Sequence, residues 1–192
     1  MNKTRLEAFS DAVIAIIMTV MVLELRIPQG ADLEALKPLL PVFLAYVLSF
    51  IYLGIYWNNH HHMLQATRKV NGKVLWANLH LLFWLSLIPF VTGWMGENNF
   101  EPLPTAVYGC ILLLAGFSYT ILQNKLVHHT DGENSVLGLA IGHDLKGKLS
   151  LVAYLLAIPL AFVNEHISHV IYVLVAMMWF IPDRRIERSI NK

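Results

Sequence analysis

Three polar or charged residues stand at the head of the first apolar stretch of this chain. Arg5, Ser10 and Asp11 precede a run that is almost entirely apolar from Ala12 to Leu23. Ionised groups beside lipid cost several kcal/mol unless they face protein or water. On a helix Arg5 and Asp11 are roughly 240° apart, so we expect them to find different partners. This segment is therefore the first place to look for function.

Candidate partners for these three residues lie at the end of the second apolar stretch and in the first part of the third. They are Trp57, Asn58, His60 and His61, followed by Asn78, His80 and Trp84. Because successive membrane helices run in opposite directions, these groups should lie at the same depth as the head of the first helix. One interpretation is a structural network that fixes helix packing. The other is a proton-sensing role for the histidines, since histidine titrates near neutral pH.

The histidines do not have the spacing of a metal site. His60, His61 and His62 are consecutive, so their side chains would point about 100° apart on a helix. Metal sites on helices prefer spacings of three or four. His166 and His169 have spacing three, but we expect them in a short outward turn without an acidic or cysteine partner. The sequence predicts no metal site and no cofactor.

The composition is that of a membrane protein. Of 192 residues, 56% are hydrophobic and 14% are charged, whereas soluble domains carry about 25% charged residues. There are six apolar stretches: Phe9–Ile27, Leu39–Trp57, Val74–Trp94, Leu103–Leu126, Leu149–Val163 and Ile167–Ile181. The first four are long enough to cross about 30 Å of hydrocarbon, and the last two are weaker predictions. We expect an all-α membrane protein with six transmembrane helices in a single domain, residues 1–192.

The basic residues are distributed unequally between the two sides of such a protein. Six spans put both termini on one side, which then holds Lys3, Arg5, Arg68, Lys69, Lys73, Lys125, Lys146, Lys148, Arg184, Arg185, Arg188 and Lys192. The other side holds Arg26 and Lys37. The positive-inside rule predicts cytoplasmic termini, for a multi-pass protein of the cell inner (plasma) membrane. The polar stretch Val127–Gly147 on that side is either a loop or a short interfacial helix.

Several classes of function have no support in the sequence. The chain carries no nucleophile motif and no cofactor fingerprint, so an enzyme is not predicted. The net charge of +1 gives no indication of a nucleic-acid partner. The single cysteine, Cys110, lies inside the fourth stretch, so it forms no intrachain disulfide.

One face of the first helix carries an apolar stripe. Ile16, Thr19, Val20 and Leu23 share this face by their spacing of three and four. They extend over about 10 Å along the axis. Taken alone, such a stripe is typical of a surface that faces lipid or packs against another helix.

The first helix also resembles the signature of the endosomal and lysosomal potassium channel family, transmembrane protein 175. The pattern is Arg-x-x-x-Phe-Ser-Asp followed by Ala-x-x-x-Ile-Ile-x-Thr-Val. The matching residues here are Arg5, Phe9, Ser10, Asp11, Ala12, Ile16, Ile17, Thr19 and Val20. The resemblance implies a potassium-permeable cation channel, a homotetramer in which the first helix of each subunit lines a central pore.

The resemblance also implies roles for individual residues. Ile16 would form the narrowest hydrophobic ring, Thr19 a hydroxyl ring one turn further, and Leu23 another apolar ring. Arg5 and the Phe9-Ser10-Asp11 motif would hold the helix against the polar and aromatic residues of the second and third helices. The chain has no Thr-Val-Gly-Tyr-Gly carbonyl filter. The implied partners are further copies of the chain, the lipid bilayer, and potassium and similar monovalent cations as permeant ions.

A second hypothesis is a proton-coupled secondary transporter that uses Asp11 and the cytoplasmic-side histidines as a relay. Transporter cores commonly contain inverted repeats and paired broken helices. The sequence shows neither feature, which favours the channel.

Overall fold

The chain folds into helices wherever its apolar stretches are long. The computed structural model describes residues 3–67, 70–129 and 144–180. Its helices are α1 (Lys3–Leu23), the 3₁₀ helix η1 (Leu33–Leu39), α2 (Leu40–Gln65), α3 (Gly72–Ser86), α4 (Ile88–Glu97), α5 (Pro102–His129), α6 (Leu145–Leu160) and α7 (Glu165–Phe180). No strand occurs within these three ranges. The predicted all-α fold is confirmed.

Helices α3 and α4 form one long unit with a break at Leu87. Pro89 is the second residue of α4 and has no N–H to donate. The two helices together cover the third apolar stretch, and α1, α2, α5, α6 and α7 cover the other five. The described ranges therefore contain the six helical units that the sequence predicted.

The helices differ in length as the hydropathy suggested. Four segments are long and apolar enough to cross a membrane: Lys3–Leu23, Leu33–Gln65, Gly72–Glu97 and Pro102–His128. Helices α6 and α7 have 16 residues each, which corresponds to roughly 24 Å. The two stretches that were the weaker predictions are thus the two short helices.

Side-chain caps start α3 and α6, and a strained turn separates α4 from α5. The Asn71 side chain accepts a hydrogen bond from the Val74 amide at 3.0 Å, which starts α3. The Asp144 side chain accepts from the Gly147 amide at 3.1 Å and starts α6. Between α4 and α5, Asn99 and Phe100 have φ values of 49° and 64°. This left-handed pair reverses the chain within a few residues.

Tyrosines fill the interior between α2, α5, α6 and α7. The buried members of this cluster are Tyr52, Tyr108, Tyr154 and Tyr172. The Tyr52 hydroxyl donates to the Tyr172 carbonyl at 2.6 Å, and Tyr108 shares a hydrogen bond of 2.9 Å with Ser49. Because these hydroxyls have hydrogen-bond partners, the cost of taking them out of water is largely offset. Helix α1 lies outside this cluster and packs against α2, α3 and α4.

The two ends of the bundle differ in charge. The described basic residues where α1, α3 and α6 begin and α5 ends are Lys3, Arg5, Lys73, Lys125, Lys146 and Lys148. We call this the basic end. Arg26 and Lys37 lie at the opposite end, where α1 ends and α2 begins.

Some sequence predictions concern residues outside the described ranges. These residues are Arg68, Lys69, Arg184, Arg185, Arg188 and Lys192 from the basic set, and residues 130–143 of the stretch predicted as a loop or interfacial helix.

Candidate pore helix and its polar anchor

Helix α1 has one buried face and one uncovered face. Its buried residues are Leu6, Ser10, Ile14, Ile17 and Met21. They follow the spacing of three and four that places side chains on one side of a helix. This face packs against the rest of the subunit and fixes the rotation of α1.

The predicted stripe lies on the uncovered face. Ile16, Val20 and Leu23 are 60%, 37% and 79% exposed, and Thr19 is also exposed. The Thr19 hydroxyl donates to the Ile16 carbonyl at 2.9 Å, within the same helix. No other part of the described subunit covers the stripe. It is therefore available to further copies of the chain, to lipid or to water.

A buried chain of three hydrogen-bonded side chains holds α1 against α2 and α3. The Asn78 Nδ2 donates to the Ser10 Oγ at 2.9 Å. The Asn78 Oδ1 lies 2.7 Å from the His60 Nε2. Because Asn78 uses its amide nitrogen on Ser10, its oxygen accepts and His60 Nε2 carries the proton. Ser10, Asn78 and His60 are all buried, so this chain is a specific connection among three helices.

A second contact joins α1 to α2 near the same depth. The Trp57 Nε1 donates to the Asp11 Oδ1 at 3.1 Å. The ring of His61 stacks on Trp57 with centroids 6.1 Å apart. The polar anchor therefore consists of Ser10, Asn78, His60, Asp11 and Trp57, supported by His61.

Other predicted members of the network lie elsewhere. The Trp84 Nε1 donates to the His80 Nε2 at 3.0 Å, a contact within α3 that does not reach α1. Arg5 is exposed and makes no hydrogen bond or ion pair within the described part of the chain, and the same holds for half-buried Asn58. Phe9 is 49% exposed and does not join the anchor.

Lys3 and Glu7 make contacts at the start of α1 that the sequence did not predict. The Lys3 Nζ donates to the Gln65 carbonyl at 3.2 Å and lies 3.8 Å from the Glu7 Oε1. Lys3 thus connects the start of α1 to the end of α2. The i, i+4 spacing of Lys3 and Glu7 was a signal for their own pair, but the contact with Gln65 depends on tertiary packing.

The histidines on α7 lie in a different place from that expected. His166 and His169 are in the first two turns of α7 rather than in a turn between helices, and Glu165 Oε1 is 3.8 Å from His166 Nε2. The expectation that no acidic residue lies beside them was therefore wrong. His169 instead shares a hydrogen bond of 3.0 Å with Thr105. Across the described ranges no three His, Cys, Asp or Glu residues form a group that could hold a metal ion.

Comparison with known proteins identifies the family. Residues 5–89 match the family model described as endosomal/lysosomal potassium channel TMEM175. A potassium channel of a Chryseobacterium species is 53% identical over 192 residues, which is 100% of both chains. The chain belongs to the TMEM175 family. The matched region contains α1, α2 and α3, and so includes the whole polar anchor.

The TMEM175 relationship extends to the fold. A solved structure, a lysosomal potassium-selective channel TMEM175 homolog from Chamaesiphon minutus, superposes with a TM-score of 0.81. It is 26% identical, and the match covers 94% of this chain and 97% of that one. The human endosomal/lysosomal proton channel TMEM175 is 36% identical over 148 residues, 68% of this chain and 29% of the human protein. The similarity to both proteins includes helices beyond the motif on α1.

Proposed function

We propose that this TMEM175-family protein is a potassium-permeable cation channel, in which four copies assemble so that α1 of each subunit lines a central pore. The observation that carries this proposal is the two-faced character of α1. One face is held by the polar anchor, while Ile16, Thr19, Val20 and Leu23 on the other face are left uncovered. Relatives described as potassium channels support the choice of permeant ion.

In this proposal Ile16 forms a hydrophobic constriction that replaces a carbonyl filter. Its side chain is 60% exposed, so four copies around an axis would form an apolar ring. Narrow apolar rings lose their water and close to ions. Leu23, which is 79% exposed, would form a second ring about 10 Å further along the helix.

Thr19 would supply oxygen ligands between the two apolar rings. Its hydroxyl proton is used on the Ile16 carbonyl, at 2.9 Å. The hydroxyl oxygen therefore keeps a lone pair for a passing cation. A ring of four such oxygens could replace part of the hydration shell of a potassium ion.

We further propose that the channel resides in the cell inner (plasma) membrane with both termini in the cytoplasm. The support is the basic end, where five lysines and Arg5 of the described residues lie, against Arg26 and Lys37 at the opposite end. Short loops rich in Lys and Arg stay on the cytoplasmic side.

The transporter hypothesis is not favoured by the comparisons, because the bacterial relatives are described as potassium channels and the animal relatives as proton channels. The side chains proposed for a proton relay are also engaged structurally. Asp11 accepts a hydrogen bond from Trp57, and His60 is bound to Asn78.

The test is single-channel recording of the purified protein in planar bilayers, under a potassium/sodium gradient and separately under a pH gradient. We expect discrete currents that reverse towards the potassium equilibrium potential. Replacing Ile16 with Asn should wet the constriction, raise the conductance and weaken the preference for potassium.

Val22→Asn is the matched control for Ile16→Asn, because Val22 is an exposed apolar residue of α1 that lies away from the stripe. It should leave conductance and ion preference unchanged. Unchanged currents in Ile16→Asn would remove Ile16 from the pore. Saturable, proton-coupled flux without discrete currents would favour the transporter.

A further inference from the structure

A groove of about 660 Å³ opens at the opposite end of the subunit, away from the polar anchor. It lies between the end of α1, η1, the start of α2 and the end of α4. We call its apolar lining residues, among them Leu25, Leu40 and Phe43, the floor, and its charged lining residues, Glu24, Arg26 and Glu97, the rim. A groove lined by apolar side chains together with a few charged ones has the character of a site for an amphiphile.

The rim has one more negative charge than positive charge. The Arg26 Nη2 and the Glu97 Oε1 form an ion pair at 2.8 Å. Glu24 lines the same groove and makes no hydrogen bond or ion pair within the described part of the chain. The unpaired carboxylate favours a ligand group that is cationic and can donate hydrogen bonds.

The surroundings of the groove indicate a lipid rather than a water-soluble ligand. Ile27, Leu33 and Leu36 next to it are 89%, 80% and 50% exposed. Three large apolar side chains exposed to water would be costly, but at the edge of a bilayer they face hydrocarbon. The groove also lies where α1 and α4 end, which is the depth expected for headgroups.

We propose that this groove binds one phospholipid per subunit, with an acyl chain on its floor and a primary-amine (ethanolamine) headgroup against Glu24 and Glu97. An ethanolamine ammonium has three N–H groups to donate to carboxylates, and Arg26 has N–H groups beyond the one on Glu97 for the lipid phosphate. Bound in this way, the lipid would join the end of α1 to α2 and α4.

The charge pattern distinguishes this headgroup from two common alternatives. A choline headgroup has no N–H to donate and is usually recognised by a cage of aromatic rings. The lining of the groove supplies a single aromatic ring, Phe43. A glycerol headgroup brings a negative phosphate but no cation for Glu24.

The experiment is native mass spectrometry of the full chain in an equimolar mixture of dioleoyl phosphatidylethanolamine, its N-methyl and N,N-dimethyl derivatives, phosphatidylcholine and phosphatidylglycerol. We expect phosphatidylethanolamine to be retained about tenfold over phosphatidylcholine, with retention falling as N–H groups are replaced. Glu24→Gln should remove most of this preference. The matched control is Glu101→Gln, an exposed carboxylate at the same end that does not line the groove, and it should keep the preference.

Equal retention of all five lipids by the wild-type protein would overturn the proposal, and so would preferred retention of phosphatidylglycerol. Absence of bound lipid, together with disulfide-linked dimers of Leu36→Cys in a Cys110→Ser background, would assign the groove to a second copy of the chain. If Glu24→Gln fails to fold, the N-methylation series on the wild-type protein decides. None of these readouts depends on ion conduction, so the result stands apart from the channel proposal.

Discussion

Asn78 connects three helices through a single side chain. It donates to Ser10 on α1 and accepts from His60 on α2. Both polar functions of the amide are used, so no apolar side chain can replace it. The sequence placed these residues at one depth. Their pairing, and the lack of a partner for Arg5 among the described residues, depend on how each helix is rotated about its axis.

We expect Asn78→Leu to destabilise the subunit by about 1 kcal/mol or more, because the buried Ser10 and His60 groups lose their partner. The measurement is the melting temperature of the purified protein in detergent. Asn58→Leu is the control, since Asn58 is half-buried and makes no hydrogen bond within the described ranges. Equal melting temperatures for the two variants would contradict a stabilising role for the Ser10–Asn78–His60 chain.

The contact between Asp11 and Trp57 gives a second prediction at this scale. We expect Asp11→Ala to impair folding or assembly, while Asp11→Asn keeps an oxygen that can accept from the Trp57 indole. The measurement is a double-mutant cycle on the melting temperature. We expect the variant with both Asp11→Ala and Trp57→Phe to lose little more stability than Asp11→Ala alone. Fully additive losses of melting temperature would show that the two side chains act independently.

Helices α2 and α4 approach each other closely at Gly96. A Cβ atom on Gly96 would lie 2.6 Å from the Cα of Val42. Small residues allow membrane helices to pack backbone against backbone. The sequence did not predict a role for Gly96, because glycines are frequent in membrane helices. Only the packing shows which of them lies at a close contact between helices.

Gly96→Ala should therefore force α4 away from α2 and destabilise the protein by about 1–3 kcal/mol. The matched control is Gly93→Ala in the same helix, where an added Cβ meets nothing within 4 Å. That change should be neutral or slightly stabilising, because alanine is the better helix former. A comparison of the two melting temperatures checks the prediction, and a loss confined to Gly93→Ala would refute it.

The described part of a single subunit does not enclose a pathway along the stripe of α1, so the proposed pore requires an assembly. We expect Leu23→Cys, in a Cys110→Ser background, to form disulfide-linked dimers on mild oxidation. The reason is that Leu23 points away from its own subunit and would meet its copies around an axis. Cysteines form a bond only when their Cβ atoms come within about 4.5 Å.

Val22→Cys in the same background is the control for this cross-linking, because its exposed side chain lies off the stripe. It should stay monomeric on a denaturing gel. Cross-linking of Val22→Cys in place of Leu23→Cys would contradict the proposal, because it would show that a different face of α1 meets the other copies.

The sequence by itself determined the helices, their number, the weakness of the last two, and the family signature on α1. These features are local, because hydropathy, length and the spacing of three and four depend on residues near each other in the chain. Tertiary structure alone decided that Asn78 bonds to both Ser10 and His60, while Arg5 and Asn58 have no hydrogen bond among the described residues. It also decided that Glu24 and Glu97 line one groove. These contacts join residues far apart in the chain, and the rotation of each helix against its neighbours sets which side chains meet.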